Sequence, residues 1–98
     1  MTLEDITAEM RRRAGDNAGL GTTVKFDFGD DGTVYLDDSS KPPVIDNRNA
    51  DAQCTMTMAK DVFEDIAAGR VDATSAYMSG KLRVDDIGTA MKVATLLR

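Results

Sequence analysis

The sequence predicts a small domain that combines a β-sheet with helices. Residues 22–58 contain short segments in which apolar and polar side chains alternate, as in strands with one buried face. Residues 60–98 instead repeat apolar side chains at the spacing of a helix. The 98 residues are 42% hydrophobic and 30% charged, which suits one folded domain and is too apolar for disorder. We therefore expect a single domain over residues 1–98.

A first helix is predicted from Thr2 to Arg13. Thr2 is a good N-cap, and Asp5 stands where its capping-box partner would be. The basic run at its end, Arg11 to Arg13, is interpreted as a solvated helix end that complements the helix dipole. The inward face of this helix comprises Leu3, Ile6 and Met10.

Three strands are predicted to follow as an antiparallel meander with one solvated face. Asp30, Asp31 and Gly32 supply the first hairpin turn. The third strand, PPVID, begins with two prolines, which lack an N–H, and so fits the edge of a sheet. The solvated face is expected to carry Lys25, Asp27, Thr33, Tyr35 and Asp37, and the buried face Val24, Phe26, Phe28, Val34 and Leu36.

A fourth strand is predicted in the run AQCTMTMA, residues 52–59. Ala52, Cys54, Met56 and Met58 share one face of it because successive side chains alternate. No histidine is present to act as a base, so Cys54 is interpreted as a small buried hydrophobe and not as a nucleophile.

The second half is predicted to hold three helices and one short strand. Gly69 and Gly80 stand where the first two helices end, and Asp72 caps the second. Leu82 and Val84 point inward from the strand, and Asp85 or Asp86 caps the last helix. The apolar stripe of the first of these helices comprises Val62, Phe63, Ile66 and Ala67.

The last helix, from Ile87 to the chain terminus, has a wider apolar arc than a surface helix needs. Two interpretations are open, a well-buried terminal helix or a lid over an apolar cavity. No C-cap follows, so its last turn is expected to fray. Methionine is flexible and suits a deformable interior. The methionines predicted to face inward are Met10, Met56, Met58, Met78 and Met91.

Composition argues against several function classes. The chain has no histidine, which removes the usual general base and the usual zinc ligand, so neither an enzyme nor a metal site is predicted. A net charge of −5 argues against nucleic acid. No run is long enough for stable membrane insertion, and no targeting signal is present, so we expect a cytoplasmic protein. The adjacent Asp85 and Asp86 are interpreted as a helix cap.

The runs YMSGKL and AMK, residues 77–82 and 90–92, resemble the sterol carrier protein-2 (SCP2) family of lipid-binding domains. The order of one helix and four strands before them agrees with that family, so the resemblance spans nearly the whole chain. The residues that carry it are Phe63, Ile66, Gly69, Asp72, Ala76, Met78, Gly80, Lys81, Leu82, Ala90, Met91 and Lys92.

This resemblance implies an α+β fold with a five-stranded sheet, in the order 3-2-1-4-5, covered on one face by helices. It also implies an apolar tunnel for a fatty acid, acyl-CoA, phospholipid or sterol, with no cofactor. We expect Lys92 or Lys81 at its mouth to meet a carboxylate headgroup. The predicted tunnel walls comprise Phe26, Phe28, Val34, Leu36, Met56, Met58, Phe63, Ile66, Tyr77, Met78, Ile87, Met91 and Leu97.

Two other classes remain open at this point. One is an SCP2-like module that serves a larger enzyme system, through protein contacts or through a homodimer formed by the last helix. The other is an enzyme such as a thioesterase, which the absence of histidine makes the weakest of the three.

Overall fold

The computed structural model describes residues 1–97. The helices are α1 (Leu3–Ala14), α2 (Lys60–Ala67), α3 (Ala73–Met78) and α4 (Ile87–Leu96). The strands are β1 (Thr23–Asp27), β2 (Thr33–Asp37), β3 (Val44–Asp46), β4 (Cys54–Met58) and β5 (Leu82–Val84). A short 3-10 turn, Gly29–Asp31, joins β1 to β2.

The five strands form one sheet in the order β3-β2-β1-β4-β5, which confirms the predicted fold and strand order. β1 is central and pairs antiparallel with β2 and parallel with β4. Val24 of β1 lies opposite Leu36 on one side and Cys54 on the other. β3 and β5 form the two edges, so the prolines before β3 precede an edge strand, as predicted.

The start of α1 forms the capping box that the sequence predicts. The amide of Asp5 donates to Oγ1 of Thr2 at 3.1 Å, and the amide of Thr2 donates to the Asp5 carboxylate at 3.0 Å. Ile6 and Met10 are completely buried one turn apart. The helix is therefore fixed at its first turn by polar bonds and along its length by apolar packing.

Of the three arginines at the end of α1, Arg11 and Arg12 are exposed, as predicted for a solvated helix end, whereas Arg13 is half-buried. Arg11 donates to the carbonyl of Ile45 in β3, with Nη2 at 2.7 Å. Nη2 of Arg13 donates to the carbonyl of Ala67 at 3.0 Å, and its Nη1 donates to the carbonyl of Leu97. Both side chains therefore join α1 to distant segments, because a guanidinium can satisfy several carbonyl groups at once.

The core lies between the helices and the sheet face that carries Val24, Phe26 and Met56. Phe63 of α2 contacts the rings of Phe26 and Phe28 edge-on, with centroids 6.2 and 6.0 Å apart. Edge-to-face contact is a favourable arrangement of aromatic rings, and it fixes α2 against β1.

The opposite sheet face is less solvated than predicted, because a loop covers part of it. Tyr35 is only 5% exposed. The guanidinium of Arg48 lies 4.4 Å from its ring centroid, and its hydroxyl donates to the carbonyl of Asp51 at 2.7 Å. The loop between β3 and β4 thus shields a tyrosine that alternation alone assigns to water.

Asp38, just after β2, is a completely buried carboxylate. It accepts the amide N–H groups of Leu20 and Gly21 at 2.8 and 2.9 Å, and Nζ of Lys41 at 2.6 Å. Burial acts to raise the pKa of the Asp38 carboxyl, but these hydrogen bonds outweigh burial and hold that pKa below its usual value. The group ties the loop before β1 to the end of β2.

Candidate functional site

An apolar cleft of about 240 Å³ opens over the β5 edge of the sheet, between α3 and α4. Its floor is Met56 of β4 with both inward side chains of β5. Among its lining residues, only Thr74 and Tyr77 have polar side chains. The lining residues are Met56, Ala73, Thr74, Tyr77, Leu82, Val84, Ile87, Ala90, Met91 and Ala94.

Two apolar stripes explain why the apolar arc of α4 is so wide. Val93, on α4, and Leu97, which caps the end of α4, are completely buried in the core. Ile87 and Met91 are 55% and 68% exposed and line the cleft instead. One side of the helix therefore anchors it, while the other leaves apolar surface open to solvent.

Local sequence signals fix α3, which forms the opposite wall. The carboxylate of Asp72 accepts the amide N–H of Ser75 at 2.8 Å and so caps the helix. Gly80, with φ of +79°, ends it, and the amide of Lys81 donates to the carbonyl of Ala76 at 2.9 Å. Such a glycine-ended turn reverses the chain within two residues and leads it directly into β5.

The first turn of α4 is held against β4 by the two acids that precede it. Asp86 is the cap, and its carboxylate accepts the amide of Thr89 at 3.2 Å and Nε2 of Gln53 at 3.1 Å. The bond from Gln53, followed by those from Thr89, lowers the pKa of the Asp86 carboxyl. Asp85 accepts the amide of Thr55 at 2.7 Å. Both acids therefore serve the frame of the cleft.

A second cleft of about 660 Å³ adjoins the first, next to the loop between α2 and α3. The two share three lining residues, Ala73, Thr74 and Ala94. The second is more polar, because the loop contributes Gly69 and Asp72. The apolar cleft is therefore the better match to a hydrocarbon chain, although it is the smaller of the two.

The structure brings some of the predicted wall residues together and separates others. Met56, Tyr77, Ile87 and Met91 line the apolar cleft. Ile66 and Leu97 line the second cleft. Met78 is 80% exposed and outside both linings, so the prediction that it faces inward is wrong. The remaining residues are buried in the core between sheet and helices: Phe26, Phe28, Val34, Leu36, Met58 and Phe63.

Several lining residues are absent from the predicted set because they are small or lie on a short strand. Ala73, Ala90 and Ala94 line the cleft where a larger side chain would fill it. The alternation of Leu82 and Val84 predicted that they face inward, but it did not predict that they form the floor of a cleft. Alanines that alternate with larger apolar residues on the two helices are the sequence signal that could have indicated this cleft.

The last described turn of the chain also differs from the prediction that it frays. Leu97 is completely buried, and its amide donates to the carbonyl of Val93 at 3.0 Å. Its own carbonyl accepts a hydrogen bond from Arg13. The end of α4 is thus fixed to α1, and the exposed apolar part is its first half.

We next consider whether the described residues include a reactive cysteine, a metal site or a membrane-spanning helix. Cys54 is completely buried, and burial followed by the charge of Asp85 raises the pKa of its thiol to about 11. Residues 1–97 contain no group of three or more metal-ligating side chains. Within the same residues, no helix is long and apolar enough to cross a membrane.

Residues 3–98 match the SCP-2 sterol transfer family. The chain belongs to that family. Membership supports lipid binding or transfer as the general function. Human sterol carrier protein 2 is 36% identical over 59 residues, which are 59% of this chain but only 11% of that protein.

Solved structures of sterol carrier proteins share the fold. The apo form from Yarrowia lipolytica superposes with a TM-score of 0.71 and 20% identity, covering 95% of this chain and 77% of that one. Sterol carrier protein domain 2 of Helicoverpa armigera gives a TM-score of 0.73 and 17% identity, covering 97% and 84%. At sequence identities this low, the similarity is evidence for a shared fold alone.

Proposed function

We propose that residues 1–98 act as one domain that binds the hydrocarbon part of a lipid in the apolar cleft between α3, α4 and β5. The observation that carries this is the combination of an apolar lining with exposed Ile87 and Met91 at its opening. Contiguous patches of exposed apolar side chains in a folded protein commonly mark a binding surface. A bound chain would shield them from water.

The size of the cleft favours a single acyl chain over a fused ring system. Clefts and cavities that bind drug-sized ligands measure about 300 to 1,000 Å³. The apolar cleft, at about 240 Å³, lies just below that range. Among fatty acid, acyl-CoA, phospholipid and sterol, we favour a ligand with a fatty-acyl chain, because a flexible chain can enter a cleft of this size partway whereas a rigid ring system cannot.

A polar headgroup would lie at the opening of the cleft. Lys81 directly precedes Leu82 of the floor, and Lys92 directly follows Met91 of the rim. Both are exposed, and neither forms an ion pair among the residues that the structure describes. A carboxylate or phosphate at the cleft opening would be attracted by these ammonium groups.

The deciding experiment is a thermal-shift series with saturated fatty acids of increasing length. Each added buried methylene contributes about 0.8 kcal/mol, so Kd should fall about fourfold per methylene until the cleft is full. At a ligand concentration of about 100 Kd, the melting temperature should rise by roughly 10 °C or more. No shift with fatty acid, acyl-CoA, phospholipid or sterol would contradict the proposal.

Neighbouring positions on α4 provide a matched control. Ala94 lines both clefts, so Ala94→Leu should fill the shared wall and abolish the shift. Thr95 is exposed beside it and lines neither cleft, so Thr95→Leu should preserve the shift. Equal ligand responses of the two variants would place the ligand elsewhere.

A further inference from the structure

The methionines of this protein fall into two groups that differ in their access to solvent. Six are present, and three of them are at most 4% exposed. Met78 on α3 and Met91 on α4 are 80% and 68% exposed, and Met1 is 45% exposed. A dissolved oxidant can therefore reach the second group far more readily than the first. The buried methionines are Met10, Met56 and Met58.

Met91 differs from the other two exposed methionines because it also lines the apolar cleft. Met78 lines neither cleft, and the ammonium group of Met1 is bound to Glu64 of α2 at 2.7 Å. Met56 lines the cleft as well, but it is only 1% exposed. Among the described residues, Met91 is thus the methionine that both solvent and a bound ligand can contact.

No other sulfur atom near the cleft competes with Met91 for an oxidant. Of the ten residues that line the apolar cleft, only Met56 and Met91 contain sulfur. Cys54 is the one cysteine of the chain, and it is completely buried. Burial also raises the pKa of its thiol to about 11, so the reactive thiolate is not formed at neutral pH. The oxidation-sensitive atom of the cleft is therefore the sulfur of Met91.

We propose that Met91 is a reversible modification site, and that its oxidation to the sulfoxide lowers the affinity of the cleft for lipid. This role rests on the proposed function, since it requires that a lipid chain lie against Met91. The oxidant is hydrogen peroxide. Its O–O bond breaks, one oxygen atom bonds to the thioether sulfur, and the other leaves as water with both hydrogens, so sulfur loses the two electrons that the peroxide gains.

The chemistry of the sulfoxide explains the loss of affinity. Methionine sulfoxide is polar, whereas the thioether that it replaces is apolar and flexible. A hydrocarbon chain that covers Met91 offers the new oxygen atom no hydrogen bond, so binding would remove a polar group from water without compensation. The same oxygen on Met78 stays in water whether or not the cleft is occupied, because Met78 lies outside the cleft.

Treatment of the full chain with hydrogen peroxide tests the proposal, and the other methionines serve as internal references. Peptide mass mapping should show one added oxygen at Met78 and Met91, and none at Met10. The treated protein should bind saturated fatty acid about tenfold more weakly, with little change in the melting temperature of the ligand-free protein. Methionine sulfoxide reductases for both epimers should restore binding. Fatty acid present during treatment should slow oxidation at Met91 and not at Met78.

Two pairs of variants separate the effect of Met91 from that of Met78. Glutamine, like the sulfoxide, places a polar group near the end of an unbranched side chain. Without peroxide, Met91→Gln should therefore bind fatty acid about tenfold more weakly than Met91→Leu, whereas Met78→Gln and Met78→Leu should bind it equally. Peroxide should weaken binding by Met78→Leu and should not change the affinity of Met91→Leu.

Unweakened binding by protein that is oxidised at Met91 would overturn the proposal and leave the lipid-binding function intact. So would a peroxide-induced loss of binding in Met91→Leu, because the sensitive group would then lie elsewhere. Absence of any lipid response in the untreated protein would instead contradict the proposed function, and the role of Met91 with it.

Discussion

Arg13 of α1 donates hydrogen bonds to the carbonyls of both Leu97 and Ala67, 84 and 54 positions further along the chain. The Arg13 side chain is largely buried, with 12% exposed. It joins three helices because α2 and α4 both end beside it. The anchored end of α4 thus contrasts with the exposed Ile87 and Met91 in its first half.

Leu97 and Met91 should therefore separate stability from ligand binding. Leu97→Ala removes a completely buried side chain and should lower the free energy of unfolding by about 2 to 5 kcal/mol. Met91→Ala removes a side chain that is 68% exposed, so its effect on stability should stay within about 1 kcal/mol, while fatty-acid affinity falls. Urea unfolding and ligand titration check both. A stable Leu97→Ala variant would contradict the anchoring role.

Deleting residues 95–98 provides a further test of the lid interpretation. If the end of α4 were a lid that lifts, the deletion would weaken ligand retention with little loss of protein stability. Since the deletion removes Leu97 and its bond to Arg13, we expect a clear fall in melting temperature as well. Ligand off-rates measured below the melting transition separate the effect on ligand retention from the effect on stability.

Phe63 should behave as a core residue. It is completely buried and contacts Phe26 and Phe28 edge-on. Phe63→Leu should lower the free energy of unfolding by about 1 to 3 kcal/mol, because two aromatic contacts and part of the packing are lost. The fatty-acid-induced rise in melting temperature should persist. Loss of that response in a folded variant would extend the binding site into the core.

Asp38 should make stability depend on acid pH. Its pKa is lower in the folded chain, so its contribution is fully present above the unfolded value of about 3.9 and is lost as pH falls through the folded value. Asp38→Asn should lower stability at neutral pH by about 1 to 3 kcal/mol and flatten this acid slope. Lys41→Met removes the ion pair and the bond from Nζ to the Asp38 carbonyl but leaves the amide bonds to the carboxylate, so it should retain part of the slope. Parallel urea curves at pH 7 and pH 3 compare them.

Cys54 should report unfolding and not catalysis. Its thiol is buried, with a pKa raised to about 11, so it is protonated at neutral pH. Labelling by a thiol reagent at pH 7.5 should be slow in the native state and fast in urea. Rapid native labelling would show that β4 is more accessible than its burial indicates.

The periodicity of apolar residues in the sequence predicted the helices and strands, but it did not predict the cleft between them. The alternation through Cys54, Met56 and Met58 predicted β4, and Thr2 with Asp5 predicted the start of α1. The same rule placed Tyr35 in water, because it does not include the loop that covers it. It also assigned Met78 inward, since apolar character does not show whether a partner surface exists.

Local sequence patterns also did not predict the long-range polar contacts. The bonds from Arg11 to Ile45 and from Arg13 to Leu97 join residues far apart in the chain. The burial of Asp38 likewise depends on the loop that brings Leu20 and Gly21 to its carboxylate. Such contacts become visible once the topology places these segments together.

With the single exception of Met56, the lining of the apolar cleft comes from residues 73–94. The centre of the sheet instead depends on the pairing of β1 with β4, which are 30 positions apart in the chain. The cleft is therefore formed mostly by one contiguous segment, which is joined to the sheet where β5 pairs with β4 and to the core through Val93. Local opening of residues 73–94 would admit a ligand while β1 and β2 keep their amide protection. Hydrogen exchange should show this segment as a separate cooperative unit, faster to exchange than β1.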